Sequence, residues 1–345
     1  KYNKSYKILM ITNKRILVVG AGGFIGGHLV KRLLNDGNSM VAVDIKPKEY
    51  WFQDFEDVEN NYLMDMKDIS NCRKVTKKID YVFNMACNMG GMGFIENNKA
   101  ECMQSVLINT NLLISCKENE IKKYFFSSSA CAYNKSLQQK VFIDGLREED
   151  AYPADPEDGY GWEKLFSERM CRHFMEDYGI PVSIARYHNI YGPSGTFDGG
   201  REKAPAALCR KVIKAKKNND YKIEVWGDGM QTRTFLYIDD CIEGTLRLFE
   251  SNYSEPVNIG SDEQVSINQM VEIIESISGI KNLKRIYQLD KPKGVRGRSS
   301  NNDLVKKILN WSFKIKLKDG LKKTYDWIND EMSKQGSNLS RFTKS

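Results

Sequence analysis

The sequence predicts an α/β fold: a Rossmann-type, doubly wound parallel sheet followed by a smaller C-terminal region. Two observations carry this prediction. Strand-like and helix-like segments alternate through the first half of the chain, and strands separated by helices are typical of a parallel sheet. A Gly-x-x-Gly-x-x-Gly series also follows the first strand directly and opens a helix, as in dinucleotide-binding βα units. The 345 residues are enough for one large α/β domain, or for a cofactor domain with a smaller companion.

The predicted strands are short apolar runs, and the predicted helices have apolar residues at helical spacing. The strands are Arg15–Val19, Met40–Asp44, Tyr81–Asn84, Tyr124–Ser127 and Val182–Tyr187, with a further short one before Asp65. The helices are Phe24–Leu34, Ile95–Glu118 and Tyr160–Tyr178. After Gly192, glycine and proline interrupt the pattern. Residues 14–190 are therefore predicted to form the Rossmann domain, which segments from roughly 234–260 rejoin, and 191–335 a region mainly for substrate binding.

Composition and charge exclude several classes of function. The formal charge is +7, from 52 basic and 45 acidic residues, which favours anionic partners. The basic residues are dispersed and accompany no nucleic-acid motif, and no apolar run approaches the roughly 20 residues of a membrane span. No apolar segment at the N-terminus marks a signal peptide. Eight scattered cysteines without a Cys-x-x-Cys pair, and only three histidines, predict reduced thiols in a cytoplasmic protein without a metal site.

The glycine series Gly20, Gly23 and Gly26 predicts a site for the pyrophosphate of a dinucleotide. Glycine lets the backbone turn tightly and approach the ligand, and the N-terminus of the following helix offers free N–H groups and a positive dipole end. Gly20 and Gly23 are therefore assigned to the cofactor, together with the first residues of the helix, Phe24 and Ile25.

An acidic residue about 18 positions beyond the third glycine predicts NAD rather than NADP. Asp44 ends the second strand, where its carboxylate would accept both ribose hydroxyls and repel an additional phosphate. Asp65 follows another short strand and has two equally good interpretations. It either forms a hydrogen bond to adenine or caps a helix near Lys67 and Asp68.

Tyr160 and Lys164 form a Tyr-x-x-x-Lys pair on one helical face and predict the centre of a hydride-transfer reaction. A tyrosine ordinarily ionises near pH 10. A neighbouring ammonium stabilises phenolate, so Tyr160 would take a proton from a hydroxyl at neutral pH while both residues contact the cofactor. Ser129 lies after the strand that begins at Tyr124, at the sheet edge where ligands bind, and can donate to a hydroxyl or carbonyl of the substrate.

Together these elements resemble the extended short-chain dehydrogenase/reductase superfamily, whose members act on nucleotide sugars. The residues after the serine strand are Ala130 and Cys131. In this superfamily, sugar 4,6-dehydratases have an Asp-Glu pair there, and UDP-galactose 4-epimerases have small and Thr residues. Taken alone, a single cysteine at the end of a strand is explained better by packing than by catalysis. A thiol can nevertheless serve as the base for a carbon acid.

Five longer strings narrow the resemblance to the GDP-mannose 3,5-epimerase family within that superfamily. They are Asn88–Ile95, Arg186–Pro193, Gly199–Ala206, Trp226–Arg233 and Gly294–Arg298, and the likeness runs from about Arg15 to Glu331. The resemblance implies conversion of GDP-α-D-mannose to GDP-L-galactose and GDP-L-gulose. The implied route is transient oxidation at carbon 4, inversion at carbons 5 and 3, and re-reduction. NAD is the implied cofactor, a GDP-sugar the substrate and a homodimer the assembly.

The resemblance also implies roles for individual residues. Cys131 and Lys203 would be the acid/base pair that inverts carbons 3 and 5. On sequence alone, Lys203 belongs to the charged first turn of a helix, and the resemblance makes the acid/base role the better interpretation. Gln231 is placed near the nucleotide, with an equally good interpretation as a turn residue. The implied substrate contacts are Gly90, Ser129, Asn189, Glu202, Lys203, Lys211, Gln231, Arg296 and Arg298.

Two positions beside Tyr160 depart from the family pattern: Gly159 replaces the usual Ala, and Trp162 the usual Leu. An epimerase or 4,6-dehydratase acting on another GDP-sugar, such as a GDP-heptose, is therefore an alternative, and a net dehydrogenase is another. The alternative from a different class is a non-catalytic sensor that binds NAD or a nucleotide sugar. The complete set of acid, base and redox side chains argues against a sensor.

Overall fold

A computed structural model of the chain describes residues 11–53, 55, 58, 60–334 and 339–343. The strands are β1 (Arg15–Val19), β2 (Ser39–Asp44), β3 (Asn60–Leu63), β4 (Tyr81–Asn84), β5 (Lys123–Ser129), β6 (Val182–Tyr187), β7 (Ile190–Tyr191), β8 (Lys222–Trp226), β9 (Thr232–Arg233), β10 (Leu236–Tyr237), β11 (Val257–Ile259), β12 (Val265–Ser266) and β13 (Lys284–Gln288). The α-helices are α1 (Phe24–Asn35), α2 (Ile69–Val75), α3 (Met92–Asn97), α4 (Lys99–Met103), α5 (Ser105–Glu118), α6 (Asp158–Tyr178), α7 (Ala204–Asn218), α8 (Ile238–Glu250), α9 (Ile267–Ser278), α10 (Asp303–Leu309), α11 (Leu317–Glu331) and α12 (Ser340–Thr343).

Among the described residues, seven strands form one parallel sheet in the order β3-β2-β1-β4-β5-β6-β11. The first six follow the strand order of a doubly wound Rossmann sheet, which confirms the predicted fold class. The seventh, β11, joins from the C-terminal half of the chain and pairs with β6.

Helices cover the sheet on both faces, which explains why its central strands are apolar throughout. In β1, Ile16 and Val18 enter one core layer with residues of α1 and α8. Leu17 and Val19 enter the other layer with residues of α2, α5 and α6. All four side chains are at most 1 % exposed. Successive side chains of a strand point to opposite faces, so a strand between two buried layers needs an apolar residue at every position.

The C-terminal region packs α7 against α9 and α11, next to the parallel pair of β8 and β13. Shorter pairs join β7 to β10 and β9 to β12. The segment 339–343 folds back onto both parts of the chain. Its Phe342 is buried in an aromatic cluster with Phe52, Phe197 and Trp327.

The predicted strands and two of the three predicted helices occur in their predicted places, with ends shifted by at most two residues. The single helix predicted for Ile95–Glu118 is wrong, because α3, α4 and α5 occupy this stretch and the first break falls at Asn98. The side-chain amides of Asn97 and Asn98 donate to the carbonyls of Gly93 and Phe94 at 2.6 and 2.9 Å. Such local bonds compete with continuation of the helix.

The helices of the described ranges include none that is long and apolar enough to cross a membrane.

Candidate active site

One large cleft opens at the carboxyl ends of the sheet strands, where ligands bind in open α/β proteins. Its volume is about 1290 Å³, which exceeds a typical small-molecule pocket and leaves room for a dinucleotide beside a second nucleotide. Its lining combines the ends of β1, β2 and β5 with residues of the C-terminal region such as Lys203 and Trp226.

The turn after β1 is so tight that it has no room for side chains at Gly20 and Gly26. Gly20 has φ +83° and its N–H donates to Val43 O at 2.8 Å. A Cβ at Gly26 would lie 2.1 Å from Gly20 O, so the close approach of α1 to the turn requires glycine at that position. Gly20, Gly23, Phe24 and Ile25, all assigned to the cofactor from the sequence, line the cleft. The N-terminus of α1 is therefore placed to receive a phosphate.

Asp44 stands at the end of β2 with both carboxylate oxygens held by backbone N–H groups. Oδ2 accepts from Gly22 and Oδ1 from Lys46, each at 2.9 Å. Burial raises the pKa of this carboxyl, and the two N–H bonds and the Lys46 ammonium oppose that rise. The fixed carboxylate lines the cleft and can accept from a diol.

Asp65 also lines the cleft, and its Oδ1 accepts from Lys67 N at 2.8 Å. The helix-cap interpretation of Asp65 is wrong, because the cap of α2 is Asp68, whose side chain accepts from Ser70 N at 2.8 Å. A hydrogen bond from Asp65 to adenine stays a prediction.

Tyr160 sits in the first turn of α6 and is 5 % exposed, with its side chain facing the cleft. Burial raises its pKa well above the ordinary tyrosine value. The neighbouring Cys87, Cys131 and Glu163 act in the same direction, and a hydrogen bond with Ser129 opposes them. The protein alone therefore keeps this phenol protonated.

Lys164 lies behind Tyr160 and is not among the residues that line the cleft. It is 1 % exposed, with Nζ 5.5 Å from the centre of the Tyr160 ring and 3.4 Å from Oε2 of Glu163. Burial alone would lower its pKa, but Cys87 and Glu163 hold the pKa above the ordinary lysine value. Lys164 is therefore a buried ammonium beside the Tyr160 ring, and its role as the partner of Tyr160 stays a prediction.

Two glycines let α6 approach its neighbours closely on either side of Tyr160. A Cβ at Gly161 would lie 2.3 Å from Cys131 O, and one at Gly159 would lie 2.5 Å from Lys99 O. The departure from Ala at Gly159 therefore matches a close contact with α4. Trp162 is 44 % exposed and is not among the residues that line the cleft, so its departure from the family pattern leaves the cleft lining unchanged.

Cys131 lies in a one-turn 3₁₀ helix, Ala130–Ala132, that follows β5 directly. Its backbone N–H donates to Ser129 Oγ at 3.2 Å, which holds the Ser129 hydroxyl beside Cys131 at the end of β5. Its Sγ lies 3.4 Å from a guanidinium nitrogen of Arg298. Cys131, Ser129 and Arg298 all line the cleft, and Cys131 is 8 % exposed.

The Gly-Met loop 88–93 and the segment before α7 are far apart in sequence but pack backbone to backbone. Gly91 N donates to Arg201 O at 3.0 Å, and a Cβ at Gly91 would lie 2.6 Å from Glu202 O. Arg201 adds a bond to Asn88 Oδ1 at 2.9 Å. This packing brings the strings Asn88–Ile95 and Gly199–Ala206 together at the residues directly before Lys203 in the chain.

Lys203 is the N-cap residue of α7 and lines the same cleft as Cys131 and Tyr160. Burial lowers its pKa, while charge on Cys131 and Cys87 acts to raise it. Its ammonium makes no ion pair with any residue that the structure describes. Both members of the predicted acid/base pair therefore face one cavity, and Lys203 loses its proton more easily than an ordinary lysine.

The remaining predicted substrate residues have mixed outcomes. Gly90, Asn189, Glu202, Lys211 and Gln231 line the cleft. Gln231 Nε2 donates to Trp226 O at 2.9 Å, whereas its buried Oε1 has no partner within the described residues. An unpaired buried acceptor is costly, so this oxygen suits a donor on a ligand.

Arg296 is not among the cleft-lining residues, so the structure gives no support to its predicted substrate contact. Both of its terminal nitrogens bind Asp228 at 2.8 Å in a bidentate pair. Another arginine, which the sequence analysis did not single out, does line the cleft. This is Arg233, and burial lowers its pKa to about 10. Arg233 is the last residue of Trp226–Arg233, one of the five strings that resemble the family, so that string could have identified it as a candidate.

A buried tyrosine backed by a lysine, in the same cleft as a glycine-lined helix N-terminus, defines a class of protein. These are Rossmann enzymes that exchange hydride between a nicotinamide dinucleotide and a substrate hydroxyl. The chain belongs to the NAD-dependent epimerase/dehydratase family, whose pattern matches residues 16–260.

The most similar relatives include plant enzymes. GDP-mannose 3,5-epimerase 1 of Oryza sativa subsp. indica is 48 % identical over 322 residues, which are 93 % of this chain and 83 % of the relative. GDP-mannose 3,5-epimerase of Arabidopsis thaliana is 45 % identical over 337 residues, 96 % of this chain and 88 % of the relative. These relatives confirm the family resemblance found in the sequence.

Solved structures share the fold. UDP-glucose 4-epimerase of Thermotoga maritima superposes with a TM-score of 0.82 at 24 % identity, over 92 % of this chain and 100 % of the neighbour. UDP-glucuronic acid 4-epimerase of Bacillus cereus, solved with UDP-glucuronic acid and NAD, has a TM-score of 0.77 at 28 % identity and covers 92 % and 99 %.

NAD is the cofactor of this family, and the residues present fit it. The turn has no room for a side chain at Gly20, since a Cβ there would lie 2.8 Å from Ala86 N, and glycine lets the backbone come close to a pyrophosphate at the N-terminus of α1. Asp44 presents a fixed carboxylate at the end of the next strand. Such a carboxylate accepts hydrogen bonds from the ribose hydroxyls of NAD and would repel the ribose phosphate of NADP.

Proposed function

We propose that the chain is a GDP-mannose 3,5-epimerase, which converts GDP-α-D-mannose to GDP-L-galactose, with GDP-L-gulose formed by inversion at carbon 5 alone. One observation carries the proposal: Cys131, Lys203 and Tyr160 face one cleft. The relatives at 45–48 % identity are GDP-mannose 3,5-epimerases, and no observation favours a 4,6-dehydratase, a net dehydrogenase or a sensor.

The redox half of the reaction belongs to Tyr160, Lys164 and Ser129. NAD, held by Gly20, Gly23 and Asp44, would supply reversible hydride transfer at carbon 4 of the sugar. The Tyr160 oxygen takes the proton of the carbon 4 hydroxyl, Ser129 donates a hydrogen bond to the same oxygen, and the buried Lys164 ammonium stabilises the phenolate. Because the redox change is reversed, no cofactor is consumed.

The inversion half belongs to Cys131 and Lys203. A ketone at carbon 4 acidifies the hydrogens on carbons 3 and 5, since each carbanion is stabilised as an enolate. One side chain removes the proton and the other supplies a proton to the opposite face of the ring. The lowered pKa of Lys203 suits this exchange, because a group that holds its proton weakly is a better donor near neutral pH.

The charge of the cleft supports a nucleotide diphosphate as ligand. Nine lysines and arginines line it against five aspartates and glutamates, an excess of four positive charges. Lys211 and Arg233 are partly or fully buried, and burial lowers the pKa of both. An anion such as the GDP pyrophosphate relieves that cost, and Arg233 suits its oxygens. Asn189, Glu202 and Gly90 complete the proposed sugar and nucleotide contacts.

We further propose a homodimer joined through α5 and α6. These helices pack against each other and, with α4, carry a set of exposed apolar side chains on the outer surface. Trp162 and Phe166 are one helical turn apart on α6 and are 44 % and 52 % exposed. Met103 of α4 and Leu107 of α5 are 44 % and 47 % exposed. An apolar face of this kind on paired helices suits a second copy related by a two-fold axis.

We also place the enzyme in the cytoplasm. All eight cysteines are free thiols, including Cys87, Cys102 and Cys131 around the candidate active site. Free thiols persist in reducing compartments, where disulfides are rare.

A panel of GDP-sugars, with products identified by NMR and mass spectrometry, tests the proposed function. GDP-mannose should give GDP-L-galactose and GDP-L-gulose without net NADH. A stable keto product, net NADH, or turnover of another GDP-sugar in preference to GDP-mannose would overturn it.

A further inference from the structure

Arg298 is the hub of a buried polar cluster around the Cys131 thiol. It is 3 % exposed and makes three side-chain bonds. Its Nε donates to Gln138 Oε1 at 2.6 Å, one terminal nitrogen donates to Glu157 Oε2 at 2.8 Å, and the other donates to Cys131 Sγ at 3.4 Å. Because the first two bonds fix the plane of the guanidinium, the third is aimed at the sulfur.

The cluster carries an excess of positive charge. Arg233 is also buried and shares Glu157 with Arg298 as a charge partner. Glu157 is anchored independently, since its Oε1 accepts from Val295 N at 3.1 Å. Two guanidinium groups therefore face one carboxylate beside a thiol, and a second negative charge at that place would balance them.

We propose that Arg298 holds Cys131 as a thiolate through a charge-assisted hydrogen bond, with Glu157 and Gln138 as positioning residues that aim the guanidinium. The inference rests on the proposed function in one respect: it gives Cys131 the role of base, and Lys203 that of proton donor, in the first inversion.

The electrostatics of the neighbouring groups agree with this assignment. Burial works against the charge of Arg298, but Cys131 and Glu157 hold its pKa above the ordinary arginine value. The guanidinium nitrogen 3.4 Å from the sulfur is a charged donor, and such a donor favours negative charge on its acceptor. Cys131 also raises the pKa of Lys203 against the effect of burial, so a thiolate at position 131 favours an ammonium at position 203.

The proton-transfer step balances without any further reactant. The C–H bond next to the ketone breaks, its electron pair remains on the sugar as an enolate, and the proton forms an S–H bond with Cys131. Lys203 then delivers a proton to the other face of the same carbon. Arg298 keeps its protons throughout, and its neighbour Cys131 changes from a thiolate to a thiol.

Alkylation of Cys131 by iodoacetamide, in the absence of sugar, tests the inference. The full chain with NAD is labelled at neutral pH, and the rate at Cys131 is followed by peptide mass spectrometry. Cys87 lines the same cleft and is the reference thiol in each sample. Arg298→Gln should slow alkylation of Cys131 roughly tenfold or more, because a thiolate reacts and a thiol does not. Arg298→Lys, which keeps the charge, should restore part of the rate.

Glu157→Gln distinguishes an electrostatic role from a merely structural one. It keeps the size and hydrogen-bonding shape of the side chain but removes the charge that offsets Arg298. Alkylation of Cys131 should therefore become faster than in the unmodified enzyme. A wild-type rate in Arg298→Gln, or a change of the same sign in both variants, would overturn the inference. Failure of the proposed function would look different: Cys131 would respond as predicted while GDP-mannose was left unchanged.

Discussion

Burial acts on the acids and bases of the cleft in opposite directions. It raises the pKa of Tyr160 and lowers that of Lys203, because in both cases it disfavours the charged form. Burial also acts against the charge of Lys164, but Cys87 and Glu163 outweigh it and hold the pKa above the ordinary lysine value. Tyr160 therefore needs further positive charge from a bound ligand to become a base, whereas Lys203 is ready to give up its proton.

Lys203 is expected to set an alkaline limit on activity. A proton donor acts only while it is protonated, and the lowered pKa of Lys203 places the loss of that form below the ordinary lysine value of 10.5. Because protonated Lys203 is lost as pH rises, kcat/KM should fall as pH passes through this lowered pKa. Steady-state rates with GDP-mannose across the alkaline range measure the effect.

Lys203→Met should remove this alkaline limb and lower kcat by about 10²–10⁴-fold, the usual contribution of a general acid or base. Lys211→Met is the matched control, since Lys211 lines the cleft with its Nζ bonded to Glu224 O at 2.9 Å. It should keep the limb and mainly raise KM. An unchanged pH profile in Lys203→Met would remove Lys203 from the mechanism.

At the scale of elements, the position of α6 depends on glycines that let it lie close to its neighbours. Gly159→Ala adds a Cβ that would lie 2.5 Å from Lys99 O in α4 and 3.0 Å from Met103 Cγ. Overpacking costs about 1–3 kcal/mol and exceeds the gain of up to ~1 kcal/mol in helix propensity. The substitution should therefore lower the midpoint of thermal unfolding.

Gly93→Ala in α3 is the control, because its Cβ would meet only Trp226, at an ordinary 3.4 Å. It should leave the midpoint unchanged or raise it. If Gly159→Ala were as stable as the control, the close contact between α4 and α6 would be refuted.

Local patterns predict six of the seven strands of the parallel sheet, but not the contacts between elements. The strand β1 and the glycine turn are visible in the sequence because each depends on neighbouring residues. The break of the predicted helix 95–118 is less visible, since it depends on whether two asparagine amides turn back on their own helix. The sequence predicts that segments from roughly 234–260 rejoin the Rossmann domain, but it does not identify β11 as a strand, because Val257–Ile259 is recognisable as a strand only beside β6.

The same reasoning applies to the candidate active site. Tyr160, Lys164 and Asp44 stand at fixed spacings within motifs, so the sequence identifies them. Cys131 and Lys203 were recognised only through resemblance to a family. The bond from Arg298 to Cys131 joins residues 167 positions apart, and no local pattern signals it. Arg296 is the opposite case: the family resemblance assigns it to the substrate, but its guanidinium binds Asp228 and it does not line the cleft.

At the scale of the whole molecule, distant parts of the chain meet around one cleft. The segment 339–343 is an example: Phe342 O accepts from Phe197 N at 3.1 Å, and Phe342 also packs against Phe52 beside the cofactor region. The loop that leads to Lys203 is thus held by the far end of the chain.

The proposed homodimer makes a prediction at this scale. Trp162→Lys combined with Phe166→Lys should convert the dimer to a monomer, since burying two ammonium groups in an apolar interface is unfavourable. Sedimentation velocity measures the change. Leu289→Lys is the control, because Leu289 is 63 % exposed and lies elsewhere on the surface. A double variant that sediments like the unmodified protein would exclude this face as the interface.

The most direct test of the account is incubation of GDP-mannose with the enzyme in deuterated water. If Cys131 and Lys203 exchange protons next to a transient ketone, NMR should find deuterium at carbons 3 and 5. Carbon 4 should stay unlabelled, because its hydrogen leaves and returns as hydride. Cys131→Ala should keep NAD and lose the exchange. GDP-mannose recovered without deuterium at either carbon, or full exchange by Cys131→Ala, would contradict the account.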